Sequence, residues 1–507
     1  MTVGQGSAPN AQVAQFRSDG FTSLTGLRLP FFTDSFSRSF GFPDVRPLNL
    51  ISEETPLREE RPFAAYVGLR EVHYSRPGLI AGFNLGAGPI RGVFRAPNIY
   101  GGGLFLVSGT SAYNASTGAS CGTIPGADRV RWAASEAQMV LIANGAAWLY
   151  DGASFGQIVN ASLPPVCDVA YCAGRFAYMA TGTDKWWYSE IDDAANETGL
   201  DFATAESSPD PNIAVAMLND ELMILGTQSV EFWSPGSDPT APFTPVVGRG
   251  YQRGCIARDA VQYADNSIFW VGDDGSVYRA GNSSPTKISS ASIDDKIRQC
   301  ATPAAMSALS VSFEGHPIYL LNIPGVGSYA YDISRVGTQA QAYGDSYQRG
   351  EWQQWSSWQH TTFRGQCAAM IGPAVWIGDD TTNDLWSMQV GVFAEGSNPL
   401  IRQASAFIKV EEGSPRCLNL ILHGVVGQGL GLTGSATAEM RYSDDQGRTF
   451  TSWRAASLGK QGQYEARAVW QRLGSMRAPG RLVQVRISDA VDVALSHLEL
   501  NSARPAS

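Results

Sequence analysis

The sequence lacks the features that mark several large classes of protein. No apolar stretch is long enough to cross a bilayer as a helix. No run of Lys and Arg forms the concentrated basic face of a nucleic-acid-binding protein, and the formal net charge is −10. The opening MTVGQGSAPNAQ has neither the basic nor the apolar segment of a secretory signal. We therefore expect no membrane span, no secretion and no sequence-specific DNA binding.

Cysteine and histidine are scarce and scattered. The chain has seven Cys and five His, and no Cys/His cluster or H-x-x-x-H pair. Only Cys167 and Cys172 lie close together, without the spacing of a metal site. We predict no metal and no cofactor, with most cysteines buried in a protein that folds in a reducing cytosol.

Sustained helical periodicity is also missing, and a strand–turn–strand repeat takes its place. Seven copies lie between Leu104 and Trp386, with first residues 35, 37, 46, 46, 50 and 57 positions apart. The copies read LFLVSGTSAYN, MVLIANGAAWLYDG, FAYMATGTDKWWYS, LMILGTQSVEFWSPG, IFWVGDDGSVYRAG, IYLLNIPGVGSYAYD and VWIGDDTTNDLWSM. One hairpin cannot bury its own apolar face, and a period of ~40–50 residues is typical of propeller blades. The sequence predicts an all-β fold with a β-propeller of six or seven blades.

The chain divides into three parts by composition. Residues 1–60 lack the repeat, are rich in Ser, Phe and Pro, and are predicted to form an extended N-terminal arm. Residues 61–395 hold the repeats and are predicted to form the propeller. Residues 396–507 alternate apolar and polar side chains without the repeat and are richer in arginine. They predict a C-terminal β-sandwich or jelly-roll-like domain.

One block of the chain is strongly acidic. Between Trp186 and Gly248 there are eleven Asp and Glu and no Lys or Arg. The simpler interpretation is a solvated loop around one blade; the alternative is a surface that repels phosphate, so that a polyanion passes without sticking. On that alternative, the candidate channel-lining residues are Glu190, Asp192, Asp193, Glu197, Asp201, Glu206, Asp210, Asp220, Glu221 and Glu231.

Several patterns resemble catalytic or binding motifs without their required context. GASCG from Gly118 matches a nucleophile elbow, but the following TIPG cannot start the helix that an elbow needs. GLGLTG from Gly429 precedes a strand rather than a dinucleotide-binding helix. The Asp pairs at 273–274 and 379–380 suit turns better than a cation site. Trp352, Trp355 and Trp358 are read as buried blade residues, with a carbohydrate platform as the alternative.

One motif is specific. Residues 443–450, SDDQGRTF, fit the Asp-box S-x-D-x-G-x-T-[WF] of sialidase-type propellers. In this motif the Asp caps loop amides, Gly supplies a positive φ, and the aromatic side chain anchors the loop. The motif stands outside the repeats, so we interpret it as a structural turn. Its residues are Ser443, Asp445, Gly447, Thr449 and Phe450.

Taken in order, several segments resemble the packaged-DNA stabilisation proteins, the tail hub or nozzle proteins of short-tailed (podovirus) phages. The most similar segment runs from Gly182 to Ser237 and contains SEIDD, FATAESSPD and VEFW. Further similar stretches are YSRPGL, GPIRGV, RGC, ISSASIDDKIR, FRG and AVWQRLGSMRAPGRLVQVRISDAVDVALSHLEL. The resemblance covers about residues 65–507, so residues 1–60 stand largely outside it.

The resemblance implies a structural virion protein, not an enzyme, located in the phage tail and assembled in the host cytoplasm. Such proteins form a homo-hexameric tube below the portal and its adaptor, extend the DNA channel and retain packaged DNA. Their implied partners are the portal-adaptor protein, the tail needle or plug, tailspikes or fibres, and dsDNA passing through the lumen. The alternatives are a receptor-binding propeller module and a glycan-cleaving tail enzyme.

Overall fold

The fold is given by a computed structural model, in which the chain divides into two compact units. The larger unit comprises Leu79–Glu351 and Gln359–Gln389, and the smaller comprises Met1–Gly78, Trp352–Trp358 and Val390–Ser507. The structure describes residues 13–16, 23–32, 44–55, 70–95, 102–196, 202–204, 210–238, 241–281, 284–335, 351–411, 413–431 and 434–503.

Strands dominate both units. Before the repeats lie β1 Val13–Phe16, β2 Ser23–Pro30, β3 Leu50–Thr55, β4 Arg70–Ser75 and β5 Gly78–Asn84. The next strands are β6 Ile90–Arg95, β7 Leu104–Ser108, β8 Ser111–Asn114, β9 Ser120–Thr123, β10 Arg131–Ala134, β11 Met139–Ala143, β12 Ala146–Tyr150, β13 Phe155–Gln157, β14 Val166–Cys172, β15 Arg175–Ala180, β16 Lys185–Tyr188, β17 Phe202–Thr204, β18 Asn212–Leu218, β19 Glu221–Gly226, β20 Val230–Pro235 and β21 Phe243–Pro245. They are followed by β22 Gln262–Ala264, β23 Ser267–Val271, β24 Val277–Ala280, β25 Thr286–Lys287, β26 Ser307–Phe313, β27 His316–Ile323, β28 Gly327–Asp332, β29 Glu351–Trp355, β30 Gly365–Ile371, β31 Ala374–Asp379 and β32 Asp384–Gln389.

After the repeats come the strands of the C-terminal region. They are β33 Ala394–Glu395, β34 Asn398–Pro399, β35 Arg402–Val410, β36 Arg416–Gly424, β37 Ser435–Ser443, β38 Arg454–Lys460, β39 Ala468–Gln471, β40 Gly480–Ile487 and β41 Ala494–Ala503. The helical elements of the described residues are an α-helix, Ala291–Arg298, and the 3-10 turns Arg258–Ala260, Pro303–Ala305 and Ile333–Arg335.

The larger unit is built from seven successive antiparallel sheets in the described residues. Five sheets contain four strands paired in chain order: β6–β9, β10–β13, β14–β17, β18–β21 and β22–β25. The sixth includes β26, β27 and β28, and the seventh pairs β30, β31, β32 and then β5. In every sheet the predicted repeat forms the second and third strands, as β7–β8 does in the first.

The seventh sheet packs against the first, so the larger unit is a closed ring. Gln366 Nε2 on β30 donates to the Ile90 carbonyl on β6 at 2.6 Å. Cys367 and Leu385 share one buried cluster with Ile90 and Leu106. β5 precedes the first blade along the chain but forms the outer strand of the last blade. The ring is therefore closed by pairing between the first and the last strands of the propeller segment. The prediction of a β-propeller is confirmed, and the blades number seven.

Burial explains why the repeat was readable. Second strands such as β7, β11 and β23 are buried at every position, because each is enclosed by the neighbouring blades on both faces. A strand buried on both faces reads as a continuous apolar run rather than an alternating one. The apolar run of each repeat copy therefore reflects the burial of the second strand between neighbouring blades.

The smaller unit is a β-sandwich. One sheet has the order β1-β35-β40-β37-β38; the other has β3-β4-β41-β36-β39, with β2 also paired to β41. Inward-facing residues of the two sheets form one core that includes Ile408, Leu420 and Leu498. The prediction of a C-terminal β-sandwich is confirmed.

The described parts of residues 1–60 belong to this sandwich. β1 pairs parallel with β35, and β2 pairs antiparallel with β41, placing Leu29 opposite Leu498. Leu29 and Phe31 are buried in the sandwich core. The structure therefore divides the chain differently from the predicted limits at residues 60 and 395. Sequence reasoning missed β1 and β2 because the strands with which they pair, β35 and β41, lie about 400 residues or more away in the chain.

Candidate functional site

The turns between the first and second strands of the blades lie together at one end of the propeller. The strands of each blade pair in chain order and first strands of neighbouring blades pack side by side, so these turns share an end. At the third and fourth blades, Cys172 Sγ lies 3.4 Å from the Asp220 carbonyl oxygen. The Asp192 amide donates to the Gly174 carbonyl at 2.7 Å. We name this the acidic end, after its carboxylates Glu136, Glu190, Asp192, Asp220, Glu221, Asp265 and Glu314.

Part of this acidity follows from turn geometry. The φ angles are positive in two pairs of turn residues. They are 49° and 62° in Asn219–Asp220, and 45° and 50° in Asp265–Asn266. Such two-residue hairpin turns match the twist of the flanking strands and favour Asn, Asp and Gly. Turn chemistry accounts for Asp at these positions, but it does not require the glutamates at 136 and 314.

Three of the basic residues at this end form ion pairs with its carboxylates. Arg175 lies 3.3 Å from Glu190, Arg279 lies 3.1 Å from Asp265, and Arg249 pairs with Glu221. Within the part of the chain that the structure describes, four carboxylates have no basic partner: Glu136, Asp192, Asp220 and Glu314. The negative charge of these four carboxylates is therefore not offset by an ion pair.

Two of the other predicted carboxylates, Asp210 and Glu231, are buried. Asp210 is 6% exposed and accepts hydrogen bonds from the Gln228 and Ser229 amides, which closes a turn. Glu231 is 5% exposed and accepts from Trp233 Nε1 at 3.3 Å. Two such buried carboxylates cannot line a channel. Asp193 is half-buried and caps the Ala195 amide at 3.3 Å. Three further candidates lie outside the described residues: Glu197, Asp201 and Glu206.

Sequence reasoning missed three members of the acidic end: Glu136, Asp265 and Glu314. They come from other blades, so a search for a contiguous acidic block passes over them. Each stands two to four residues before a repeat copy, a position equivalent to that of Asp220. Aligning the seven copies by their first strand would have found them.

Comparison with known proteins identifies the family. Residues 65–391 match the family described as the β-propeller of bacteriophage P22 Gp10. The chain belongs to this family. Residues 401–503 match the β-sandwich of the same phage protein, so both Gp10 domains occur here in order.

A curated relative is the tail hub protein gp10 of Salmonella phage P22, 24% identical over 242 residues. The match covers 44% of this chain and spans about half, 51%, of the relative. Solved structures similar to it include the computationally designed Ika8 protein (12% identity, 68% of this chain and 99% of that one, TM-score 0.38). BamB from Moraxella catarrhalis is another (10% identity, 67% and 98%, TM-score 0.31). At these scores neither likeness carries an argument about function.

The Asp-box of this Gp10-family chain forms a tight loop after β37. Ser443 Oγ donates to Asp445 Oδ1 at 2.6 Å and accepts the Gly447 amide at 2.7 Å. Asp445 also accepts the amide and hydroxyl of Thr449 at 2.8 and 2.6 Å. The hydrogen bond from Ser443, together with these two bonds, lowers the pKa of the Asp445 carboxyl. Phe450 is half-buried against the Phe407 cluster, and Gly447 has a φ of 86°. Every group of the motif is engaged within the loop.

The residues of the motifs considered for catalysis have structural roles. Ser120 begins strand β9, which is followed by no helix. Asp274 accepts from Tyr278 Oη at 2.8 Å, and Asp379 accepts from Trp386 Nε1 at 2.9 Å. Among the residues that the structure describes, no group of three His, Cys, Asp or Glu could hold a metal ion. No helix in the described ranges is long and apolar enough to span a bilayer.

The tryptophan cluster of the Gp10-family chain does not form one exposed platform. Trp352 and Trp355 are 1% and 0% exposed, and Trp358 is 37% exposed. Trp355 lies against the Arg76 guanidinium, whose carbon is 5.3 Å from the ring centre. Buried rings of this kind serve packing rather than glycan stacking.

Proposed function

We propose that this chain is a tail hub, or nozzle, protein of a short-tailed phage, and that six copies form a tube below the portal-adaptor complex. The observation that carries the proposal is the ordered match of both Gp10 domains, over residues 65–391 and 401–503. The tube extends the DNA channel and retains the packaged genome. It holds the tail needle or plug and supports tailspikes or fibres. The chain resides in the virion tail after assembly in the host cytoplasm.

The proposed role is mechanical rather than catalytic. A propeller fastened by β5 resists opening, because its last blade cannot separate without breaking the β5–β32 pairing. The carboxylates suited to general acid or base chemistry are engaged in turns, as Asp210, Asp274 and Asp379 are. These features support a rigid wall element without an active site.

The acidic end suggests how DNA passes through such a tube. We propose that it faces the lumen and repels the phosphate backbone during ejection. Repulsion between exposed charges acts within about a Debye length, ~8 Å at physiological salt. Glu136, Asp192 and Asp220 would therefore need to stand at the lumen surface. Because a repelling wall cannot hold DNA by adhesion, the tube retains the genome through the needle or plug that it holds.

Cryo-EM of the cognate virions tests the proposal. A six-fold ring of this chain below the portal, continuous with the DNA channel, is the expected result. Peripheral appendages without a ring would contradict it and favour receptor binding, which saturable binding of host glycan would then support. Turnover of host polysaccharide by the purified chain would instead indicate a tail enzyme.

A further inference from the structure

The axis of the propeller encloses a cavity of about 560 Å³. Its wall is formed by the first strands of the blades, including residues of β6, β10, β14, β18, β22, β26 and β30. Cavities of roughly 300–1,000 Å³ are typical of small-molecule sites. The cavity therefore has the size of a ligand site and is unsuited to a DNA duplex.

The two ends of this cavity differ in charge. Arg129 lies just before β10, and Glu136 lies just after it at the acidic end; both line the cavity. At about 3.3 Å per strand residue, their backbones are roughly 20 Å apart. Arg129 is accompanied by Arg131 and Arg258, so the cavity is basic at the end opposite Glu136.

Two of these three arginines are neutralised by ion pairs. Arg131 binds Asp168 through both carboxylate oxygens, at 2.9 and 3.2 Å. Arg258 binds Asp259 in the same two-pronged way, at 2.9 and 3.2 Å. Arg258 also donates to the carbonyls of Cys167 and Arg129, which ties three parts of the ring together. These two pairs are therefore structural.

Within the described residues, Arg129 differs from Arg131 and Arg258 in having no carboxylate partner. In the described part of the chain its guanidinium has no ion pair and makes one hydrogen bond, from Nη1 to the Ala308 carbonyl at 3.4 Å. A guanidinium has five N–H donors, so most of those on Arg129 remain for a cavity occupant. Burial lowers the pKa of Arg129, and Arg131 and Arg258 lower it further, whereas Asp259 opposes them. An anion in the cavity would relieve this unfavourable charge.

We propose that this end of the axial cavity binds a small phosphate-class anion through Arg129. A guanidinium fork matches phosphate oxygens and forms strong charge-assisted bonds with them. The inference is independent of the tail-hub proposal, because it concerns a single propeller.

Titration calorimetry and ³¹P NMR with inorganic phosphate, at constant ionic strength set by chloride, test the site. Wild-type protein should bind about one phosphate per chain, and Arg129→Met should weaken binding about tenfold or more. The matched control is Arg298→Met, which removes an exposed arginine paired with Asp295 on the helix. It should bind phosphate as the wild type does.

A second variant reverses the sign of the effect. Asp259→Asn removes the carboxylate that opposes the anion and frees Arg258, so phosphate should bind more tightly. Absence of saturable phosphate binding by the wild type would overturn the proposal. Unchanged binding in Arg129→Met would overturn it too, as would displacement of phosphate by an equal concentration of acetate.

Discussion

At the residue scale, the smaller unit depends on a buried ion pair. Arg76 and Glu395 have side chains that are 0% and 1% exposed, and they contact each other directly. Arg76 Nε also donates to Asn49 Oδ1 at 2.8 Å, and Ser357 Oγ donates to Glu395 at 3.2 Å. The network joins segments far apart in the chain, including the Trp352–Trp358 segment.

Removing one member of this pair should be costly. Glu395→Gln leaves the Arg76 cation buried without its carboxylate, and we expect the free energy of unfolding to fall by about 3–5 kcal/mol. Urea denaturation followed on the sandwich transition measures this. The control Glu411→Gln breaks the exposed pair with Lys409 in the same unit and should change stability by less than about 1 kcal/mol. Equal effects of the two variants would contradict the assignment.

Cysteine reactivity provides a second prediction at this scale. Burial raises the pKa of the Cys255 and Cys167 thiols to about 12 and that of Cys417 to about 11. Since the thiolate is the reactive form, a raised pKa leaves these thiols protonated at pH 8. We expect Ellman's reagent at pH 8 to label them slowly in native protein and all seven cysteines after denaturation. Rapid labelling of Cys255 in native protein, located by mass spectrometry, would refute this.

At the element scale, the strands from residues 1–60 are part of the sandwich and not an accessory to it. Leu29 on β2 is 0% exposed and faces the core. Leu29→Ala should therefore lower the free energy of unfolding by about 2–5 kcal/mol.

Leu418 on β36 provides the matched control, because it is 42% exposed in the same sheet. Leu418→Ala should cost well under half as much, as measured by urea denaturation of both variants. A separate arm would predict no loss of stability from Leu29→Ala. That outcome would show that β2 is dispensable.

What the sequence could predict follows from how locally each element is stabilised. The blade hairpins were readable because both strands and the turn lie within about a dozen residues, as in β7–β8. The roles of β1, β2 and β5 could not be predicted, because the strands with which they pair lie hundreds of residues away and their composition fits loops equally well. Only part of the acidic end could be predicted from the sequence. Glu190, Asp192 and Asp220 lie in one acidic block of the sequence, whereas Glu136 belongs to another blade and reaches the same surface only because the blades close into a ring.

At the scale of the whole molecule, the acidic end should govern how fast DNA leaves the virion. Glu136→Lys with Glu314→Lys would replace repulsion by attraction, worth about 1 kcal/mol per phosphate contact in water. Ejection from virions carrying this double variant should be several-fold slower, and the slowing should weaken as salt is raised. Fluorescence of a dye bound to released DNA measures the rate.

The matched control for this prediction is Glu411→Lys with Glu465→Lys, two exposed carboxylates of the sandwich. It adds the same charge to the chain at residues of the smaller unit. Slowing by both double variants, or by neither, would contradict a lumen-facing acidic end.

The pairing of β5 with β32 also determines when the propeller can close during biosynthesis. β5 leaves the ribosome early, yet its partner β32 follows some 300 residues later, as the hydrogen bond between Asn84 and Asp384 illustrates. At about 5–20 residues per second, that interval is roughly 15–60 s. Throughout it the nascent ring is open, with unpaired edges at both ends that invite pairing with other chains. Each newly made chain is therefore most prone to aggregation just before its final blade closes.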